Sequence, residues 1–180
     1  DKINFSLFKA IILSGSPFSV RSSEALHFDL SKIKSKKPLL GICYGAQYIA
    51  HFSGGKVVPS NKREYGRANL KFIDKQNRLF NNIHMDSQVW MSHSDTISHL
   101  PTNAECIAST TDVKNAAYSI EEENVYGIQF HPEVYHSKDG KEILKNFLIS
   151  IAKIKPDWTP DLFSNKTILN IKEKIGSDKV

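Results

Sequence analysis

Three features of the sequence predict an α/β fold. Residues 8–14 (FKAIILS) and 37–43 (KPLLGIC) are short apolar runs that each stop at a turn, the pattern of parallel strands buried on both faces. Residues 139–153 carry Ile143, Leu144, Phe147, Leu148, Ile151 and Ala152 at helical spacing. Several shorter β candidates lie between them, and strands mixed with helices at both ends imply a sheet layered under helices.

In chain order, the first run leads into Ser14-Gly15-Ser16-Pro17, a strand-to-turn junction. The second run leads into a helix over residues 45–53, with Gly54-Gly55 as its stop. Strands are predicted over 67–73, 88–92, 105–109, 116–120 and 125–130, separated by clusters such as Asp74-Lys75-Gln76-Asn77. Glu64-Tyr65-Gly66-Arg67 reads as a charged turn. The amphipathic segment 139–153 packs on the sheet as a helix. After Lys155 the composition changes: residues 156–160 (PDWTP) read as a linker and 165–175 as a second amphipathic helix. The division is therefore 1–155 as one domain and 156–180 as a linker with the start of another, cut short at Val180.

The 180 residues suffice for one domain with a sizeable core, and 40% apolar and 24% charged residues are ordinary globular values. The net charge of +5 comes from scattered basic residues with few aromatics interleaved, which argues against a nucleic-acid groove. Two cysteines, Cys43 and Cys106, are too few for a disulfide framework or a zinc site of usual spacing, and a free thiol suits a cytosolic, reducing setting. Cys106 reads as a small apolar residue in a strand. No apolar run is long enough to span a membrane, and no signal peptide is recognisable. His27, His51, His84, His99 and His136 show no metal-ligand spacing.

Chemistry concentrates in two places. Cys43 lies between Gly41 and Gly45 where a strand turns into a helix. A thiol attacks as thiolate, a helix N-terminus favours negative charge, and flanking glycines permit the tight turn of a nucleophile elbow. Far downstream, His131-Pro132-Glu133 follows the last strand and supplies an imidazole with a carboxylate to orient it. Cysteine, histidine and carboxylate together indicate acyl transfer through a thiolate. The loop Leu13-Ser14-Gly15-Ser16-Pro17 can point backbone N–H groups at a developing oxyanion, with the N–H of Tyr44 as second donor. The run Trp90-Met91-Ser92-His93-Ser94-Asp95 reads, on its own, as polar groups at the end of a strand.

These motifs resemble the class I (triad) glutamine amidotransferases. The resemblance narrows to the amidotransferase domains of GMP synthases through Lys62-Arg63-Glu64-Tyr65-Gly66-Arg67-Ala68, Val89-Trp90-Met91-Ser92-His93, residues 126–134 and 140–147, and the tail from Asp157-Trp158-Thr159 to Val180. It covers nearly the whole chain in the family's order. It implies a flavodoxin-like α/β fold with a mixed, mostly parallel central sheet flanked by helices. It also implies hydrolysis of the glutamine side-chain amide through a γ-glutamyl thioester, with ammonia passed on to aminate XMP to GMP. Carried over, Cys43 is the nucleophile, His131 the general base and acid, and Glu133 the orienter. The backbone of Ser16 and Tyr44 forms the oxyanion hole, and Gly15, Gln47, Ser92, His93, Ser94 and Asp95 hold glutamine.

The resemblance further implies no metal or cofactor in this chain, and ATP and Mg in a C-terminal ATP pyrophosphatase (synthetase) domain of the same polypeptide. The full-length enzyme is expected to be a cytoplasmic homodimer without nucleic-acid or membrane partners. The family begins with an earlier strand and helix ahead of Leu7, so its first strand is absent here and the sequence is expected to be incomplete. The family's Gly-Gly-Pro reads Gly15-Ser16-Pro17, and its Ser-His-Gly-Asp reads Ser92-His93-Ser94-Asp95. Because Ser resists the positive φ that Gly adopts freely, an imperfect oxyanion loop is expected. Three competing readings remain. One is an amidotransferase of the same fold serving another acceptor, of the anthranilate or aminodeoxychorismate type. The others are a cysteine hydrolase acting on peptides or γ-glutamyl conjugates, and a regulatory domain with decayed amidase activity.

Overall fold

The computed structural model describes residues 4–176, with backbone alone for 61–64. Residues 1–3 and 177–180, the latter part of the segment read as the start of a further domain, lie outside the described residues. The strands are β1 Ile11–Leu13, β2 Leu39–Ile42, β3 Lys56–Ile73, β4 Gln88–His99, β5 Glu105–Thr110, β6 Ala117–Ile120 and β7 Val125–Ile128. They form one sheet in the order β1-β2-β7-β6-β5-β3-β4. Helix α1 is Tyr44–Phe52, α2 is Gly140–Lys145 and α3 is Pro160–Ile175.

All residues of β2 and β7 are buried, as their apolar sequences require of central parallel strands. Side chains alternate across β2. Leu39 joins Tyr48, Ile49, Val57 and Ile97 on the α1 side, while Leu40 and Ile42 join Phe80, Tyr126 and Phe147 on the other. The sheet is thus mixed and covered on both faces, as expected. It is not mostly parallel, however. Only β1–β2 and β2–β7 pair in parallel, whereas β7–β6, β6–β5, β5–β3 and β3–β4 are antiparallel. The connections after β3, β5 and β6 carry no crossover α-helix, and short connections return a chain antiparallel.

The largest departure from expectation is β3. The chain is already extended from Lys56, and residues 64–67, read as a charged turn, are ladder residues: Glu64 pairs with His93 and Arg67 with Trp90. A register shift between Pro59 and Glu64 accommodates the proline, which cannot donate to a ladder. Beyond Asn69 the same strand leaves β4 and pairs with β5. β4 also extends past the expected residue 92, to His99.

The expected helix over 139–153 is present in two parts, α2 followed by a π-helical turn at Asn146–Ile151, where Ala152 N–H bonds to the Phe147 carbonyl at 2.8 Å. Asn146 is buried there and its side-chain amide donates to the carbonyls of Leu79 and Asn81 at 3.1 and 2.7 Å, tying the wide turn to the end of a 3-10 segment, Arg78–Phe80. α3 starts five residues before the expected 165, because Thr159 caps it and Pro160 occupies its first turn. None of its residues is buried.

Candidate active site

Cys43 is the single residue between β2 and α1, with φ 52° and ψ −107°. That backbone costs a non-glycine residue on the order of 1–3 kcal/mol and persists only where the surroundings fix it. Its N–H donates to the Ile128 carbonyl of β7 at 2.8 Å. The flanking glycines do what the sequence suggests: a Cβ on Gly45 would lie 2.1 Å from the Leu13 carbonyl oxygen and one on Gly41 2.6 Å from the Ala46 nitrogen. Without side chains there, α1 closes directly on β1 and β2 and its N-terminus meets the thiol.

His131 lies three residues past β7 and donates its backbone N–H to the Trp90 carbonyl at 2.9 Å. Its Nδ1 is 2.6 Å from Glu133 Oε1. With Nδ1 donating to the carboxylate, Nε2 is left for the thiol. Hydrogen bonding to Cys43 and then to Glu133 pushes the His131 pKa up to about 10, against the opposing effect of burial. Burial pushes Glu133 up, but the His131 hydrogen bond and a backbone N–H outweigh it and hold the carboxyl below its ordinary value. Gly15 is pressed against both partners; a Cβ there would sit 3.1 Å from His131 Cε1 and 3.7 Å from Cys43 Cβ.

A cleft of about 480 Å³ opens over these groups. It is lined by the loop of residues 14–18, by Cys43 and Gln47, by His131 and Glu133, and by β4 residues 92–95 with Tyr65 of β3. The Ser92 carbonyl lies 3.7 Å from Cys43 Sγ. The structure therefore gathers Cys43, His131, Glu133, Gly15, Ser16, Gln47, Ser92, His93, Ser94 and Asp95 around one cavity. Tyr44 differs: its side chain lines a second cavity behind the loop, where its hydroxyl accepts from Leu26 N–H at 3.2 Å, and only its backbone belongs to the elbow.

Three details refine the expected roles. Both amide hydrogens of Gln47 are engaged, by the Asp95 carbonyl at 2.8 Å and by Gln129 Oε1 at 3.4 Å. Gln129 in turn donates to the Asn115 carbonyl and Thr96 Oγ1. Asp95 is 6% exposed and bound on both oxygens, Oδ1 by Arg21 at 2.8 Å and Oδ2 by the Ser19 hydroxyl. Burial lowers His93 to about 4, so it is a neutral imidazole at physiological pH. The expected strain at Ser16 is not found. Among the described residues lining the cleft Cys43 alone has a positive φ, and Ser16 Oγ accepts from Phe18 N–H at 3.3 Å in a local turn.

The sequence reading missed Phe18 and Tyr65 as cleft residues, Ser19 and Arg21 as partners of Asp95, and Gln129 beneath Gln47. Gln129 alone left a usable signal, a buried polar residue inside the strand-end motif before His131. Arg21 and Asp95 are 74 residues apart in sequence, and nothing local joins them. Among the described residues no group of three or more His, Cys, Asp or Glu could hold a metal ion. No described helix is long and apolar enough to cross a membrane.

Thiol, imidazole and carboxylate in this order can form and resolve an acyl–sulfur bond. The chain belongs to the glutamine amidotransferase class-I family, whose profile matches residues 1–151. It is 58% identical over its full length to GMP synthase [glutamine-hydrolyzing] of Flavobacterium psychrophilum, covering 36% of that protein. It is 62% identical over 98% of its length to the protein of the same name from Christiangramia forsetii, covering 35%. The chain thus spans about a third of these relatives. Among solved structures, a GMP synthase component from Thermoplasma acidophilum superposes with TM-score 0.71 at 26% identity, over 92% of this chain and 78% of that one. A glutamine amidotransferase from Thermotoga maritima shares the fold with TM-score 0.59 at 22% identity, over 68% of this chain and 64% of that one.

Proposed function

We propose that this chain hydrolyses the side-chain amide of glutamine and delivers the ammonia for amination of XMP to GMP. The observation that carries the reading is the meeting of Cys43, at the N-terminus of α1, with the Glu133-bound ring of His131 in a cleft large enough for an amino acid. Cys43 Sγ attacks the amide carbon and its proton resides on His131. The oxyanion is received by the backbone N–H groups of Ser16 and Tyr44. His131 protonates the departing nitrogen, and ammonia and a γ-glutamyl thioester result. His131 then takes a proton from water, the hydroxide attacks the thioester, and glutamate leaves with the thiol restored. Glu133 holds the imidazole in orientation and stabilises its charged form.

Gly15, Ser92, His93, Ser94 and Asp95 line the glutamine site, and Gln47 serves it by fixing the Asp95 carbonyl. The acceptor chemistry rests on the names of the relatives and on the share of them that lies outside this chain. We assign residues 1–155 to the amidotransferase unit and 156–180 to a linker and the start of a C-terminal ATP pyrophosphatase domain, where ATP and Mg would act. The uncovered apolar side chains of α3, including Leu162, Phe163 and Leu169, support a partner for that helix. A cytoplasmic homodimer is the assembly we propose for the full-length enzyme.

The test is Cys43→Ala in the full-length protein. Glutamine-dependent GMP synthesis and ammonia release from glutamine should fall to background while synthesis from free ammonia persists. Glutaminase activity retained by the variant would refute the assignment.

A further inference from the structure

His131 does not belong to the ladder of β7, which ends at Ile128. Its backbone is instead tied to β4, the strand at the far edge of the sheet. One half of that tie is the bond from His131 N–H to the Trp90 carbonyl, 2.9 Å. In an ordinary strand bridge the Trp90 N–H would return a bond to the His131 carbonyl. Here the hydroxyl of Ser137 is spliced between them. It accepts from Trp90 N–H at 3.0 Å and donates to the His131 carbonyl at 2.5 Å. The peptide groups on both sides of the His131 Cα are thereby held by β4, one directly and one through a single oxygen atom.

Ser137 is itself fixed. It is 5% exposed, and its N–H donates to the Val134 carbonyl at 3.0 Å. The next residue, Lys138, donates its N–H to the Gln88 carbonyl at 2.9 Å, and Gln88 Nε2 donates to the His136 carbonyl at 2.7 Å. The His136 ring stacks on Trp90 with centroids 4.3 Å apart. The loop after His131 is thus zipped onto the start of β4, and the hydroxyl lies on the one stretch of that zipper that touches His131.

Two held peptide groups set the direction of the Cα–Cβ bond, and the Glu133 carboxylate sets the rotation of the ring. We propose that Ser137 is a positioning residue for His131, its hydroxyl splicing the His131 carbonyl to the Trp90 amide so that the imidazole is aimed at Cys43. The inference rests on the glutaminase reading above and extends it to a residue outside the cleft lining. Alanine at 137 would leave a buried N–H and a buried carbonyl without their shared partner, and the backbone carrying the imidazole would relax. An ångström of misplacement in such a group costs up to about 100-fold in rate.

The experiment compares wild type, Ser137→Ala and Ser137→Thr in the full-length protein by glutaminase kinetics, thermal melting and the pH dependence of Cys43 alkylation by iodoacetamide. We expect Ser137→Ala to melt cooperatively, to lose about 10- to 100-fold in kcat and to keep KM for glutamine within about twofold, since Ser137 does not line the cleft. Its alkylation profile should move to higher pH, because a less well held imidazolium favours the thiolate less. Ser137→Thr, which retains the hydroxyl, should restore kcat to within about threefold of wild type. Unchanged kcat and alkylation profile in Ser137→Ala would overturn the proposal. So would loss of cooperative melting, or a fall in kcat with an unmoved profile and no rescue by threonine, because the hydroxyl would then be structural. A wild type that releases no ammonia from glutamine would sink the glutaminase reading instead, and the alkylation profiles would still decide whether Ser137 positions His131.

Discussion

The parallel end of the sheet and its antiparallel ribbon build the same cleft in different ways. β1, β2 and β7 lead at their carboxyl ends into the residues proposed to react: the 14–18 loop and Cys43 follow directly from a strand, and His131 lies three residues past one. The β3–β4 ribbon presents backbone and walls. Its carbonyls at Trp90, Ser92 and Asp95 contact His131 N–H, Cys43 Sγ and Gln47 Nε2 in turn. Reactivity is thus local to three strand ends, while alignment is imposed from the opposite edge of the sheet. Damage to the first should abolish chemistry, and damage to the second should degrade geometry or stability.

The sharpest way to break the comparison is within the parallel end itself. His131→Ala removes the group proposed to move the proton in both steps and should lower kcat for glutamine by about 1000-fold or more. Glu133→Gln retains the ring and its aim but loses the charge opposite Nδ1, so a loss of about 10- to 100-fold is expected. Both should still melt cooperatively, at a temperature lowered by the loss of the His131–Glu133 pairing, since Glu133 is an exposed residue and His131 half-buried. Ammonia release and thermal melts measure this. Equal losses, or unfolding of Glu133→Gln, would mean that the carboxylate is structural and not an orienter.

The two regions also differ in how far the sequence revealed them. The parallel strands are apolar runs of three or four residues bounded by turns, and the elbow is marked by glycines that the packing against Leu13 and Ala46 requires. Both signals are local, so they are legible without the fold. The ribbon hides its identity. Pro59 and the charged residues 62–64 break the alternation that would announce a strand, and only the partner β4 makes the segment one. Contacts such as Arg21 with Asp95, or Ser137 with Trp90, join residues with no shared periodicity and exist only once the sheet has curled. The π-turn at Asn146 is of the same kind, since the carbonyls it satisfies lie 65 and 67 residues away.

Acid should probe the ribbon. His93 in β4 is buried and its pKa is lowered to about 4, so between about pH 6.5 and 4 the unfolded chain binds a proton that the folded one does not. Stability must then fall as pH falls through that window, by about 2–3 kcal/mol at pH 4.5 from this group alone. Glu133 adds a loss of the same sign at the acid end, because its folded pKa is depressed. His131 has the opposite sense: its contribution is present below its ordinary value and is lost only as pH rises through about 10. Urea unfolding at pH 7 and 4.5 isolates His93 when wild type is compared with His93→Gln. The variant should lose less stability on acidification, and an identical loss in the two proteins would show that another group is responsible.

The smallest effect belongs to the position where sequence reasoning expected a large one. If Ser16 were forced to positive φ, glycine there would relieve strain and raise activity. Ser16 has no such backbone, and its hydroxyl accepts the Phe18 N–H at 3.3 Å, which steadies the turn that carries the proposed oxyanion donor. Ser16→Gly removes that bond and adds freedom to the unfolded chain, but it leaves the backbone N–H in place. The expected result is therefore a kcat unchanged or lowered by no more than about threefold, far from the hundredfold or greater loss that follows removal of an oxyanion donor. Steady-state ammonia release by the two proteins measures it. A several-fold gain would mean that the loop is strained in the working enzyme. A hundredfold fall would mean that the serine side chain itself meets the substrate, and either result would move the 14–18 loop out of the group of strand-end elements that act through backbone alone.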